Sequence, residues 1–186
     1  LLGQRVEPKT AEQIREIVRA ADGPVIFKGI MTPEDAVIAA EAGAAGIVVS
    51  NHGGRALDHT PGTADVLPGI VRALRGGSGE NGTCCRGGGQ GSGQLAQAAG
   101  QAAGRAKSQI AVLVDGGVRS GVDVLKMLAL GADAVLVGRP LAVAAVGGGA
   151  EGVRMQLEEY AKQLQVAMML SGCASLADVT GKVLFG

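Results

Sequence analysis

The stretch Ser50-Asn51-His52-Gly53-Gly54-Arg55 sets an imidazole and a guanidinium three residues apart, with two glycines between them. A loop imidazole can act as a general base near neutral pH. A guanidinium offers a planar fork that fits a carboxylate. The glycines let the backbone turn tightly and let a flat ligand come close. Together these types suit proton abstraction from a small carboxylic acid. On local chemistry alone the same stretch also reads as a solvated histidine beside a surface arginine.

Two further stretches have phosphate chemistry. Asp115-Gly116-Gly117-Val118-Arg119-Ser120-Gly121 joins an apolar run to a helix start. Free backbone N–H groups and a helix N-terminus suit an anion there. Gly138-Arg139-Pro140 follows the next apolar run in the same way. Either stretch alone reads equally as a turn; in successive units they point to one phosphate site. Lys28 closes the run Val25-Ile26-Phe27. A lysine there is costly unless it meets an anion, or unless its head snorkels to water.

The elements that must position these residues form a repeat. Pro24 to Lys28, Gly46 to Ser50, Ile110 to Asp115 and Ala134 to Gly138 are continuous, β-branched-rich runs. Such runs fit strands buried on both faces of a parallel sheet. Helices are expected from Thr10 to about Ala21, with Gln13 completing a capping box, and from Thr32-Pro33 to about Ala42. Two more are expected from Ser120 to Leu130 and from Glu151 to about Leu170, the latter with a Glu158–Lys162 pair. Gly43 and Gly131 supply stops. Strand, loop and helix alternate, which predicts a parallel α/β fold with its polar residues at strand C-termini. Residues 76–106 break the pattern. They are rich in Gly, Gln, Ala and Ser, and read as a flexible low-complexity insertion within one domain spanning 1–186.

Composition removes several function classes. The chain has 186 residues, 47 % apolar, with a formal net charge of zero. No nucleic-acid or anionic-membrane partner is implied. With two Phe, one Tyr and no Trp, base-stacking surfaces are not expected. The three cysteines fit neither a disulfide framework nor a zinc pattern, so no metal is expected. No run is long and apolar enough for a membrane helix, and no signal peptide is seen. An intracellular location is the expectation, cytoplasmic or peroxisomal, and the opening at Leu1 suggests a piece of something longer.

Taken in order, Val25 to Ile30, Gly43 to Arg55, Asp115 to Arg119 and Gly138 to Pro140 resemble the FMN-dependent 2-hydroxy-acid oxidase and dehydrogenase family, which includes lactate and glycolate oxidases. The resemblance implies the (β/α)8 TIM-barrel fold. This chain would hold about its last four βα units, a half barrel, with the N-terminal half absent. It implies FMN as cofactor, a small 2-hydroxy acid as substrate and a homo-oligomer as a possible assembly. By resemblance, His52 is the catalytic base, and Arg55 holds the substrate carboxylate with help from Arg119. Lys28 and Ser50 would contact the flavin, and Asp115, Gly116, Gly117, Val118 and Arg119 the ribityl phosphate. Gly138 and Arg139 would close the phosphate site. The alternatives are an inactive remnant, a half-barrel interaction module, or another phosphate-binding barrel such as an FMN-using isomerase.

Overall fold

The structure, a computed structural model, describes residues 7–76 and 110–185. Four strands, β1 (Ile26–Ile30), β2 (Gly46–Val49), β3 (Ala111–Val114) and β4 (Ala134–Val135), form one sheet. Its order is β1-β2-β3-β4 and every pairing is parallel. Chain order therefore equals spatial order, so each crossover steps to the neighbouring strand in the same direction. Right-handed crossovers then place the intervening helices on one face. These helices are α2 (Pro33–Glu41), α3 (Thr63–Arg75) and α4 (Gly121–Ala129). α1 (Ala11–Ala20) precedes the sheet and α5 (Arg139–Leu170) follows it.

Burial agrees with the β-branched runs. All four residues of β2 are buried, and Ile47, Val49, Val112 and Val114 are completely enclosed. Ala36, Leu67 and Ile70 close over them from α2 and α3. The helix starts are capped as their sequences predict. Thr10 and Gln13 exchange two hydrogen bonds, of 2.9 and 3.3 Å. Thr32 Oγ1 accepts from the Asp35 N–H at 3.2 Å, and Ser120 Oγ from the Asp123 N–H at 3.1 Å. Gly121 lets α4 lie directly on α5: a Cβ there would stand 2.2 Å from the Tyr160 carbonyl oxygen.

Several boundaries differ from expectation. α3 was not foreseen, because Pro68 lies within it and proline removes a helical hydrogen bond. Its Leu67, Ile70 and Leu74 are nonetheless buried at helical spacing, and that packing outweighs the proline. The final helix begins at Arg139 rather than Glu151 and breaks at Gly149, where φ is 57° and ψ is −146°. Pro140 near its start and the Ala-rich residues after it favour this earlier turn. Glu158 pairs with Arg154, not Lys162. β1 runs on to Ile30, and β4 ends at Val135 rather than Gly138. Apart from Gly76, which closes α3 in the left-handed region at φ 63°, the expected insertion lies outside the described residues.

Asp133 locks β4 to β3. Its Oδ2 accepts from the Val112 N–H at 2.8 Å, and its own N–H donates to the Val112 carbonyl at 2.8 Å. Its Oδ1 meets Arg75 at 2.6 Å on the surface. Removing the carboxylate strands a buried donor, whereas removing the arginine leaves a solvated pair broken. Asp133→Ala should therefore cost about 1–3 kcal/mol, and Arg75→Ala less than about 1 kcal/mol. Urea unfolding of both variants checks the order.

Candidate active site

The strand C-termini lie at one end of the sheet, and the polar residue of each unit lies there too. Lys28 is on β1, Ser50 follows β2, and Asp115 follows β3. Lys28 Nζ donates to Ser50 Oγ at 2.6 Å and to Asp115 Oδ2 at 2.7 Å. The anion that the lysine needs is thus supplied from two strands away. Ser50 is 1 % exposed, and its Oγ also accepts from the His52 N–H at 3.2 Å. An ammonium has three N–H donors. Two are engaged here, so one remains for a ligand.

The loop after β2 is tightly wound. Asn51 Oδ1 accepts from the Gly53 N–H at 3.0 Å, and Arg55 Nε donates to the His52 carbonyl at 3.1 Å. His52 has a left-handed backbone, at φ 55°, followed by Gly53 at 70° and Gly54 at 75°. A non-glycine residue in that region is strained and must be held by its surroundings. The β3 loop is knitted to this one through Thr63, which is buried and donates its Oγ1–H to the Asp115 carbonyl at 2.7 Å. Gly116 turns at φ 95°, and a Cβ there would come within 3.2 Å of that hydroxyl.

Lys28, His52, Arg55, Asp115, Gly116, Gly117, Val118, Arg119, Gly138 and Arg139 all line one cavity of about 720 Å³. Every site residue expected from sequence is in its wall except Ser50, which sits beneath it and holds Lys28. The N-terminus of α5 opens onto the same cavity through Gly138, Arg139 and Pro140. Side chains at Gly117 and Gly138 would meet nothing within 4 Å, so the backbone is open to a close-lying group at both loops. The wall carries four cations, Lys28, Arg55, Arg119 and Arg139, against the single carboxylate of Asp115. The imidazole aside, that leaves three positive charges uncompensated. Such a field suits a ligand set carrying a phosphate and a carboxylate. Among the described residues, none forms an ion pair with Arg55, Arg119 or Arg139.

The chain has relatives among known proteins. Residues 2–185 match the model of the family described as FMN-dependent dehydrogenase. The chain belongs to that family. It is 39 % identical over 172 residues to the peroxisomal (S)-2-hydroxyacid oxidase GLO3 of Arabidopsis thaliana, covering 92 % of this chain and 38 % of the relative. With an L-lactate dehydrogenase of Chromohalobacter salexigens it shares 40 % identity over 182 residues, 96 % of this chain and 38 % of that one. Among solved structures, a mandelate oxidase with benzoyl-formic acid superposes with a TM-score of 0.70 at 41 % identity, over 92 % of this chain and 42 % of the other. A lactate oxidase of Pediococcus acidilactici gives a TM-score of 0.72 at 37 % identity, over 94 % and 40 %. The chain spans about two-fifths of the length of these curated relatives.

Sequence reasoning gave no role to several residues in or around this cavity. Asn51, inside the histidine stretch but given no role there, accepts from the Gly53 N–H, and Thr63, which no local pattern marks, donates to the Asp115 carbonyl. Gln156 and Tyr160 join the wall from α5, more than a hundred residues beyond the His52 loop. Tyr160 is 6 % exposed, and among the described residues its hydroxyl has no hydrogen-bond partner. Burial pushes this phenol's pKa up; the Asp123 carboxylate acts the same way, and Arg119 opposes both. Its neutral form is therefore favoured by folding. The associated stability is present below the ordinary tyrosine range, near pH 10, and is lost as pH rises through the raised value. Tyr160→Phe removes an unpaired buried hydroxyl, so it should be neutral or stabilising by on the order of 1 kcal/mol. It should also reduce the alkaline loss of stability. Melting temperatures at pH 8 and above pH 10 test both effects.

Proposed function

We propose that this chain is the C-terminal half of a (β/α)8 barrel whose complete form uses FMN to oxidise an L-2-hydroxy acid to the 2-oxo acid. The observation that carries the proposal is the convergence of His52, Arg55, Lys28, Arg119 and Arg139 on one cavity with three uncompensated positive charges. FMN brings a phosphate and the substrate brings a carboxylate, and the cavity's charge answers both. A mandelate oxidase variant solved with a monooxide FMN adduct is 41 % identical and aligns with 92 % of this chain, which supports the choice of cofactor. Lactate, glycolate and mandelate, the acids in the relatives' names, share the 2-hydroxy carboxylate. Substrates of the lactate or glycolate class are the reading for this protein.

The proposed roles are those the family resemblance implies, and charge and position support them. Gly138, Arg139 and the turn from Asp115 to Arg119 would receive the cofactor phosphate and ribityl chain at the α5 N-terminus. Lys28, with one donor free and two tied to Ser50 and Asp115, would face the cofactor ring where negative charge grows. Bound FMN supplies the two-electron acceptor. Arg55 and Arg119 would hold the substrate carboxylate. His52 would take the substrate's proton at an imidazole nitrogen, and the resulting positive ring would lie beside the anionic product. Asp115 acts on Lys28 rather than on the substrate, keeping the ammonium at the strand end.

Two measurements test the reading. FMN titrated into the complete apoprotein should quench flavin fluorescence, and Arg139→Ala should weaken binding more at low salt than at high salt. In the complete, FMN-loaded protein, His52→Ala should leave FMN bound and slow flavin reduction by lactate or glycolate by about 10²–10⁴-fold, the usual worth of a general base. Reduction at the parent rate in that variant would remove His52 from the chemistry.

A further inference from the structure

We infer that Gly29 is the seat of the His52 imidazole, a positioning residue that sets where the ring stands. The inference rests on the reading of His52 as base for its catalytic meaning, though not for its geometry. Gly29 is the extra residue of a β-bulge: Lys28 pairs with Val48 and Ile30 with Val49, so Gly29 has no partner in the ladder. Bulges of this kind re-aim neighbouring side chains. The backbone of Gly29 is left-handed, at φ 101°. A Cβ built there would lie 2.9 Å from His52 Cε1, 3.7 Å from Nδ1 and 3.9 Å from Nε2. The imidazole therefore rests its Cε1 corner on the bare Cα of Gly29, with a nitrogen on either side of the contact.

Among the described residues, no hydrogen bond constrains the ring. The His52 N–H and carbonyl are both engaged, by Ser50 and Arg55. The backbone is thus held by hydrogen bonds, while the ring stands against a glycine one strand away. A methyl group at position 29 would need its neighbour to withdraw by half an ångström, from 2.9 to at least 3.4 Å, to restore ordinary contact. The bulged glycine leaves free the space against which the His52 ring stands.

The test separates this contact from backbone strain. Gly29→Ala adds both a methyl against His52 and an unfavourable φ. Gly172→Ala adds only the second, since Gly172 has φ 73° and open space around its Cβ position. The chain has two histidines, so the His52 ring signals are readily assigned against those of His59. In Gly29→Ala the His52 Cε1–H and ring-nitrogen resonances should move and those of His59 should not; in Gly172→Ala neither should move. Unmoved His52 signals in Gly29→Ala would overturn the inference. A stability cycle covers the case where Gly29→Ala folds poorly. Alanine at 29 should lower the folding constant on the order of tenfold less in a His52→Ala background than in the parent, because the ring it meets is gone. Equal losses in both backgrounds, including loss of folding in both, would also overturn it. In the holoprotein, a misplaced ring should slow flavin reduction by up to about 10²-fold with FMN affinity kept. The resonance and stability readouts do not depend on turnover, so they stand or fall apart from the assignment of His52 as base.

Discussion

A lysine ammonium at the mouth of a buried parallel sheet must meet water or negative charge, and here it meets negative charge across three strands. Lys28 lies on β1, its hydroxyl partner Ser50 follows β2, and its carboxylate partner Asp115 follows β3. The three can meet because the strands are parallel and in register, with Lys28 opposite Val48 and Val49 opposite Val114. All three strands therefore end at the same level. A slip of one residue on any strand would turn its polar residue to the other face. The pair is partly exposed, so its Coulombic contribution is modest. Its larger consequence is geometric, because it places a cation with one free donor where the loops converge.

The rest of the site hangs from those strand ends. Ser50 receives both Lys28 and the backbone of His52, so the charge pair and the histidine loop share one buried hydroxyl. Thr63 ties the Asp115 carbonyl to the start of α3, and Asn51 ties off the Gly53 amide. Among the described residues, Lys28, Ser50 and Thr63 each find a partner in a neighbouring unit. The three unpaired guanidiniums differ. They face the cavity without carboxylates, a costly arrangement in isolation that anionic ligands would relieve.

Much of this was legible in sequence. β-branched runs ending in Lys28, Ser50 and Asp115 mark buried strands because continuous apolar character is what a doubly covered strand requires. Thr10, Thr32 and Ser120 mark helix starts because their side chains satisfy N–H groups left free by the helix. α3 was not legible, since Pro68 argues against a helix locally and only burial of Leu67, Ile70 and Leu74 outweighs it. The helical turn that opens α5 was obscured in the same way by the glycines up to Gly149, where the helix does break.

The amino-acid sequence by itself determined the kinds of chemistry at each strand end and the order in which they come, because residue type and period are local properties. Tertiary structure decided which groups touch. That Asp115 answers Lys28, that Tyr160 enters the wall from α5, and that His52 rests on the bare Cα of Gly29 all depend on separate segments meeting in three dimensions. No local pattern carries those distances, since they are set by sheet register and by one bulged residue in β1.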